Sequence, residues 1–431
     1  MVVFCCVSAL LAGSLLAASA AGTTYYISAF GNDSNSGKSS TEPWSSLTKL
    51  NETTFGPGDT ISFKRGDIWA GGITLDQSGT ADSPITINTY GEGPLPSIEG
   101  GLTGNCVTLT GDHVIVDGLQ TISCGYAGFS ISGDHTVVRN SGATRNAVGL
   151  KVSSGSDFGL YKDNVFTNNN VMNALTRGTG CGTPEAAGCE DDSGAFGFLI
   201  NGNDNEFAGN TISGSNAFSH DFGRDGGAFE IYNGNRNRIH HNTSVNNNNF
   251  SEIGVSDGGT ADGNSYGYNV ITSNCGANCT ESKGLIVRGS GSTYGPNTNT
   301  TFQYNTVWLA GRSSQAVVCH ASCPESTVIW GNILVSPGTS LWLDGTGWTE
   351  RYNVLNGPRN VKLDKTSTTA AAGFVKAPSD LRLTAGSPAI DRVKSHPSVL
   401  DLGPIPPLLN GDCAGPPAAD AGAFEFDPPD C

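Results

Sequence analysis

The chain has 431 residues, with 23 Lys and Arg against 39 Asp and Glu, for a formal net charge of −16. That balance excludes the basic footprint a nucleic-acid partner requires, and it repels a polyanionic ligand unless a cation or a local basic patch intervenes. Only 14% of residues are charged and 59 are Gly, so the one plausible long helix is the apolar N-terminal segment.

That segment, VFCCVSALLAGSLLA over 3–17, is too short to span a bilayer and is followed by Ala18-Ser19-Ala20. It reads as a secretory signal peptide over 1–20, although its first residues lack a positive charge. No later stretch reaches about 18 apolar residues, so no membrane anchor is expected. The expectation is a secreted, extracellular protein. Cys5 and Cys6 leave with the leader and ten cysteines remain, an even number that implies disulfides. Sequence neighbours suggest Cys106–Cys124, Cys181–Cys189, Cys275–Cys279, Cys319–Cys323 and Cys413–Cys431. Asn-x-Ser/Thr sequons at Asn32, Asn51, Asn242, Asn249, Asn278 and Asn299 suggest a glycoprotein.

Residues 21–431 read as a single domain: a cap and first coils over 21–100, repeats over 101–356 and a Pro- and Ala-rich cap over 357–431. The cap begins with YYISAFGNDSNSG and a short helix around Leu47–Asn51. The repeats share one phrase of β-formers around an Asp or Asn, seen as VIVDG, VVRNS, YKDNV, FAGNT, IHHNT, YGYNV, FQYNT, IWGNI and ERYNV. Its pivots are Asp117, Asn140, Asn164, Asn210, Asn242, Asn269, Asn305, Asn332 and Asn353, spaced by 21 to 46 residues. A floor of that length with irregular excess is a fixed unit carrying variable loops, hence a β-solenoid with capped ends.

The unit is clearest at 228–250, AFEIYNGNRNRIHHNTSVNNNNF. Phe229 and Ile231 face inward and Glu230 and Tyr232 outward by alternation. Asn242 ends the second strand, and Thr243–Val245 forms the third. The same frame is laid over 196–215. Three strands per coil with one tight Asn turn resembles the right-handed parallel β-helix of pectate-lyase-like proteins. The start YYISAFGNDSNSG and the end SPAID…DAGAFEF resemble those of secreted β-helix polysaccharide enzymes. The resemblance implies an all-β, right-handed parallel β-helix.

The excess residues fall at about 172–194, 216–227, 273–283 and 289–299, so long loops flank the outward face of strand one. Sites concentrate on such loops. Alternation gives two outward columns there. One runs Thr108, Ser130, Lys151, Phe198, Glu230, Glu252 or Gly254, Ile286, Val318 and Trp342. The other runs Thr110, Ser132, Ser153, Ile200, Tyr232, Ser256, Arg288, His320 and Asp344. Rungs stack about 4.8 Å apart, which brings Glu230 and Glu252 together beside Tyr232 and Arg288. The loops add Glu190, Asp191, Asp192, His220, Asp221, Arg224, Asp225 and Lys283.

The segments DDSGAFGF (191–198) and RDGGAFEI (224–231) are similar to the paired Asp-Gly motifs of calcium-dependent β-helix lyases. That resemblance implies Ca²⁺ held by Asp192, Asp225 and Glu230, with Lys283 or Arg288 abstracting the proton α to a uronate carboxylate. The resulting expectation is a monomeric polysaccharide lyase. Lys283, Arg288, Glu230 and Glu252 are its catalytic candidates, and Tyr232, Lys151, Arg224, His220, His320 and Trp342 its substrate contacts. The alternative is a glycoside hydrolase using two of Asp225, Glu230 and Glu252 as a carboxyl pair. A non-catalytic glycan-binding protein is the third reading. His240-His241 belongs to the repeat phrase and reads as structural.

Overall fold

A computed structural model of the chain describes residues 22–101, 104–175, 192–220, 222–256, 258–273, 281–394 and 420–426. The leader, Glu190, Asp191, Asp221, Asn278 and the pairs Cys181–Cys189, Cys275–Cys279 and Cys413–Cys431 lie outside them. The described residues form a right-handed parallel β-helix with two sheets of 12 strands and one of 10. Each complete rung contributes one strand to each sheet, and the ends add strands to the two longer sheets alone. The rung at 227–245 gives Gly227–Tyr232, Arg238–His240 and Thr243–Val245, close to the bounds read from its sequence. No helix among the described residues is long and apolar enough to cross a membrane.

The interior is a continuous apolar column that includes Ile27, Phe129, Phe198, Phe229, Ile239, Phe302 and Leu355. Rings stack from rung to rung: Phe198 and Phe229 lie 5.1 Å apart and nearly parallel. At the N-terminal end the helix Leu47–Asn51 turns Leu47 and Leu50 inward. Its cap, Ser46, accepts the Lys49 N–H at 3.1 Å. At the other end, residues 420–426 fold back so that the Ala423 N–H reaches Thr306 Oγ1 at 2.9 Å.

One column of buried asparagines closes the turn between the second and third strands. Asn164, Asn210, Asn242, Asn269, Asn305, Asn332 and Asn353 each pass an amide hydrogen bond to the next, at 2.9–3.1 Å. An unpaired buried amide is costly, whereas the ladder satisfies its members, and the last, Asn353, donates to Glu350 and the Ile329 carbonyl at 2.9 Å. The two earliest pivots do not belong to it. Ser141 takes the ladder position, receiving from the Gly118 and Leu119 N–H groups and donating its own N–H to Asn164. Asn140 is the exposed, left-handed residue just before it, and Asp117 pairs instead with Arg139 at 2.8 Å. A second ladder, Asn205 to Asn237 to Asn264, closes the preceding turn.

The disulfides Cys106–Cys124 and Cys319–Cys323 are both formed, with Cα separations of 5.5 and 5.2 Å. Of the sequon residues, Asn242 and Asn249 are buried, whereas Asn32, Asn51 and Asn299 are exposed. His240 is buried against Glu206, 3.3 Å from its carboxylate, on a different sheet from the loop-flanked face.

Candidate active site

The ten-stranded sheet is built from the first strand of each rung, and its outward face forms the floor of a cleft of about 780 Å³. Backbone register fixes the first column as Thr108, Ser130, Lys151, Leu199, Glu230, Glu252, Ile286, Val318 and Trp342. The expected choice between Glu252 and Gly254 thus resolves to Glu252. Phe198, placed outward by the sequence frame, is fully buried and Leu199 faces out. The rung at 227–242 has one more residue between its first strand and the following turn than the rung at 196–210. A one-residue slip flips every side chain of a strand. The same slip buries Ile200 and leaves Asn201 lining the cleft. In the second column Tyr232 is followed by Gly254 rather than Ser256, and Arg288 by His320.

A third column was missed by alternation. Phe196, Gly227, Asn249, Lys283 and Gln315 are in register, and all but Gly227 line the cleft. The strand bends just after this column, so two consecutive residues turn inward. Phe250 packs in the core, and Ser251 also faces in, its hydroxyl 2.8 Å from the Tyr266 hydroxyl. No strict two-residue period survives such a bend. Lys283 therefore sits on the floor as part of a strand rather than in a loop.

The walls come from the loops. On one side Ala217–Ser219 pairs antiparallel with Gly223–Asp225 and carries Phe222, Arg224 and Asp225 to the rim. Tyr294 lines the other side. Asp192 braces the hairpin, accepting from the Ser219 hydroxyl at 3.0 Å and from the His220 N–H. Arg224 is tied to Asn216, its Nε donating at 2.5 Å.

The centre of the floor is a carboxyl pair. Glu230 and Glu252 are direct neighbours on adjacent rungs. Glu252 is ion-paired with Arg288 and accepts from Asn249 Nδ2 at 3.0 Å. Arg288 is further held by its Nη1 on the Ile253 carbonyl at 3.0 Å and packs 5.5 Å from the Tyr294 ring. Burial pushes the Glu230 carboxyl well above its ordinary value, and the charges of Glu252 and Asp225 push the same way. Burial also raises Asp225 to about 7, reinforced by Glu252 and Asp192 and opposed by its own bond from the Gly226 N–H. His320 is lowered, first by burial and then by Arg288. Lys283 lies 3.3 Å from Glu281.

Nine of the expected site residues meet here: Lys283, Arg288, Glu230, Glu252, Tyr232, Arg224, His320, Asp192 and Asp225. Lys151, His220 and Trp342 do not line the cleft. Lys151 sits 5.5 Å over the Tyr126 ring, the His220 ring packs on Phe218, and Trp342 donates to Asp344 at 2.8 Å. The set Asp192, Asp225 and Glu230 fits Ca²⁺ poorly. Ca²⁺ takes six to eight oxygens, but Asp192 is turned into the hairpin. Among the described residues no three His, Cys, Asp or Glu side chains are grouped to hold a metal ion.

No protein-family model matches the chain. A stretch of 76 residues is 45% identical to a lacto-N-biosidase of Bifidobacterium longum subsp. longum, covering 16% of this chain and 5% of that protein. Among solved structures, pectate lyase Pel9A superposes with a TM-score of 0.59 at 18% identity, covering 95% of this chain and 97% of that one. A GH136 lacto-N-biosidase from Eubacterium ramulus gives a TM-score of 0.53 at 13% identity, covering 81% and 67%. At such identities the likeness is one of fold, and it agrees with the parallel β-helix read from the repeats.

Proposed function

We propose that the protein is a glycoside hydrolase that cleaves a glycan by a retaining mechanism across the Glu230–Glu252 pair. The observation that carries this reading is the contrast between two neighbouring carboxyl groups. Glu252 is ion-paired with Arg288, while burial and then the Glu252 charge raise the Glu230 carboxyl well above its ordinary value, toward the acid form. A buried carboxyl raised in this way beside an ion-paired one suits a general acid and its partner. Their rung spacing of about 4.8 Å approaches the roughly 5–5.5 Å separation of retaining pairs.

In this scheme the Glu252 carboxylate attacks the anomeric carbon while Glu230 protonates the departing glycosidic oxygen. The glycosyl ester on Glu252 then carries no charge, which removes one of the influences holding the proton on Glu230. Glu230, left as a carboxylate by the first step and now kept ionised, takes a proton from the water that attacks the anomeric carbon, breaking the ester bond and freeing Glu252. Asp225, at about 7, is a further protonated donor on the wall. The segment shared with a lacto-N-biosidase and the acidic character of the chain support a neutral glycan over a polyuronate.

The second reading is β-elimination on a uronate polymer. It is favoured by Lys283, whose place on the floor beside Asn249 suits a base, whereas Arg288 is committed to Glu252. The deciding experiment is a screen against neutral and uronate glycans, following total reducing ends and the ultraviolet absorbance of an unsaturated uronate together. Reducing ends without absorbance, with product released in the configuration of the substrate, are expected. Absorbance rising in step with reducing ends would overturn the hydrolase reading and make Lys283 the base.

A further inference from the structure

The column that holds Tyr232, Gly254, Arg288 and His320 contains one gap. Gly254 lies in strand Asn249–Gly254, and its φ is not among the positive ones, so the backbone does not demand glycine. The reason for glycine is spatial. A Cβ at 254 would stand 3.1 and 3.2 Å from Cδ2 and Cε2 of the Tyr232 ring and 3.7 Å from Tyr294 Cβ. The Tyr232 ring has therefore leaned from its own rung across the bare one. From the opposite direction Arg288 reaches back to Glu252 and the Ile253 carbonyl. The bare rung is thus where an aromatic ring comes alongside the ion pair.

We propose that Gly254 is a specificity-determining residue. By staying bare it places the Tyr232 ring as the aromatic surface on which a pyranose with an unbroken C–H face seats, beside Glu252. Sugar C–H faces pack on aromatic rings through apolar contact and ring quadrupole, and the phenol supplies a polar edge. The ligand class is a neutral pyranoside. The inference rests on the hydrolase reading for its catalytic meaning, but the seating is a binding property that can be measured separately.

The test is a mutant cycle read by binding. Methyl glycopyranosides of glucose, galactose and N-acetylglucosamine serve as probes, with saturation-transfer NMR and titration giving Kd for the full-length protein. Tyr232→Phe, which keeps the ring and loses only the phenol's polar edge, should weaken the preferred probe far less than Tyr232→Ala does. Tyr232→Ala should weaken it about tenfold, on the scale of one aromatic contact. Gly254→Ala should weaken it by a similar factor by displacing the ring, and the Tyr232→Ala/Gly254→Ala double variant should be no worse than Tyr232→Ala alone. Thermal melts confirm folding, and Gly254→Ser repeats the test with a second small side chain. Additive losses, an unaffected Gly254→Ala protein, or no transfer from any probe to wild type would each overturn the proposal. Non-additive binding in a protein that hydrolyses no glycan would overturn the hydrolase reading and leave this one standing. Hydrolysis with additive losses would do the reverse.

Discussion

Arg288 belongs to the rung after Glu252, yet its guanidinium turns back to pair with the Glu252 carboxylate and to donate to the Ile253 carbonyl at 3.0 Å. Both side chains are largely buried, at 16% and 19% exposure. Removing one partner of a buried pair leaves an uncompensated charge. Arg288→Met should therefore lower unfolding stability by about 3 kcal/mol and reduce kcat/KM by roughly 10²–10³-fold through the misplaced Glu252. Arg288→Lys, which keeps the charge but not the fork, should fall between. Urea denaturation and steady-state kinetics check the two effects separately.

Glu230→Gln should separate activity from stability. Loss of the acid should cost about 10²–10⁴ in kcat. Because the folded carboxyl is raised above its ordinary value, its proton stabilises the fold at low pH, and that contribution is lost as pH rises through the folded value. The amide cannot lose that proton, so the variant should melt higher than wild type at pH 8 and almost equally at pH 4. Equal melting at both pH values would show that Glu230 is not held protonated.

Asp225 should set the alkaline side of the activity profile. Its carboxyl titrates at about 7, so activity that uses the protonated form should decline above that pH. Asp225→Asn should retain more activity than Glu230→Gln and lose the decline near neutrality. The check is kcat/KM measured from pH 4 to 9 in both proteins.

The C-terminal fold-back should loosen as pH rises. Burial pushes Glu425 up to about 7, with Asp420 and Asp391 adding to the shift. Stability from this group is complete below its unfolded value of 4.5 and is lost as pH rises through about 7. The change is on the order of 1–2 kcal/mol after allowance for partial exposure. The protection of the Ala423 amide, its exchange corrected for the intrinsic rise of exchange rate with pH, should fall between pH 5 and 8 in wild type and much less in Glu425→Gln.

Two asparagines that share one sequence phrase should behave differently. Asn269→Ala removes a ladder member bonded to Asn242, Asn305 and the Ile239 carbonyl, and should cost about 2–4 kcal/mol in orphaned buried groups. Asn140→Gly touches only the exposed bond to Asp117 at 2.8 Å and suits the left-handed backbone there. It should change stability by less than about 0.5 kcal/mol. Paired denaturation curves decide it.

The repeat phrase exposed the coil because a parallel solenoid must close the same turn in every rung, and Asn does so from within. It misled at Asp117 and Asn140 because Ser141 performs the closure with a hydroxyl, and a hydroxyl carries no repeat signature. Alternation found Glu230, Glu252, Tyr232 and Arg288 because that part of the strand is straight. It missed Asn249 at a corner and misplaced Phe198 through a one-residue difference in turn length, and both are invisible to a two-residue period. The disulfides Cys106–Cys124 and Cys319–Cys323 were legible because short separations leave few other partners within reach. The poor fit of Asp192 to a cation was not legible, since it depends on where Ser219 and His220 fold.

The buried sequons would tie the making of the protein to any host that glycosylates it. Oligosaccharide transfer acts on a chain before it has packed, when Asn242 and Asn249 are as open as Asn299. A glycan on Asn242 would leave one link of the ladder unable to close, and one on Asn249 would stand on the cleft floor beside Glu252. In a cell that glycosylated this chain, coil formation and sugar transfer would therefore compete for the same two amides. Were sugar transfer the faster, molecules with identical sequences would differ in whether the cleft is open.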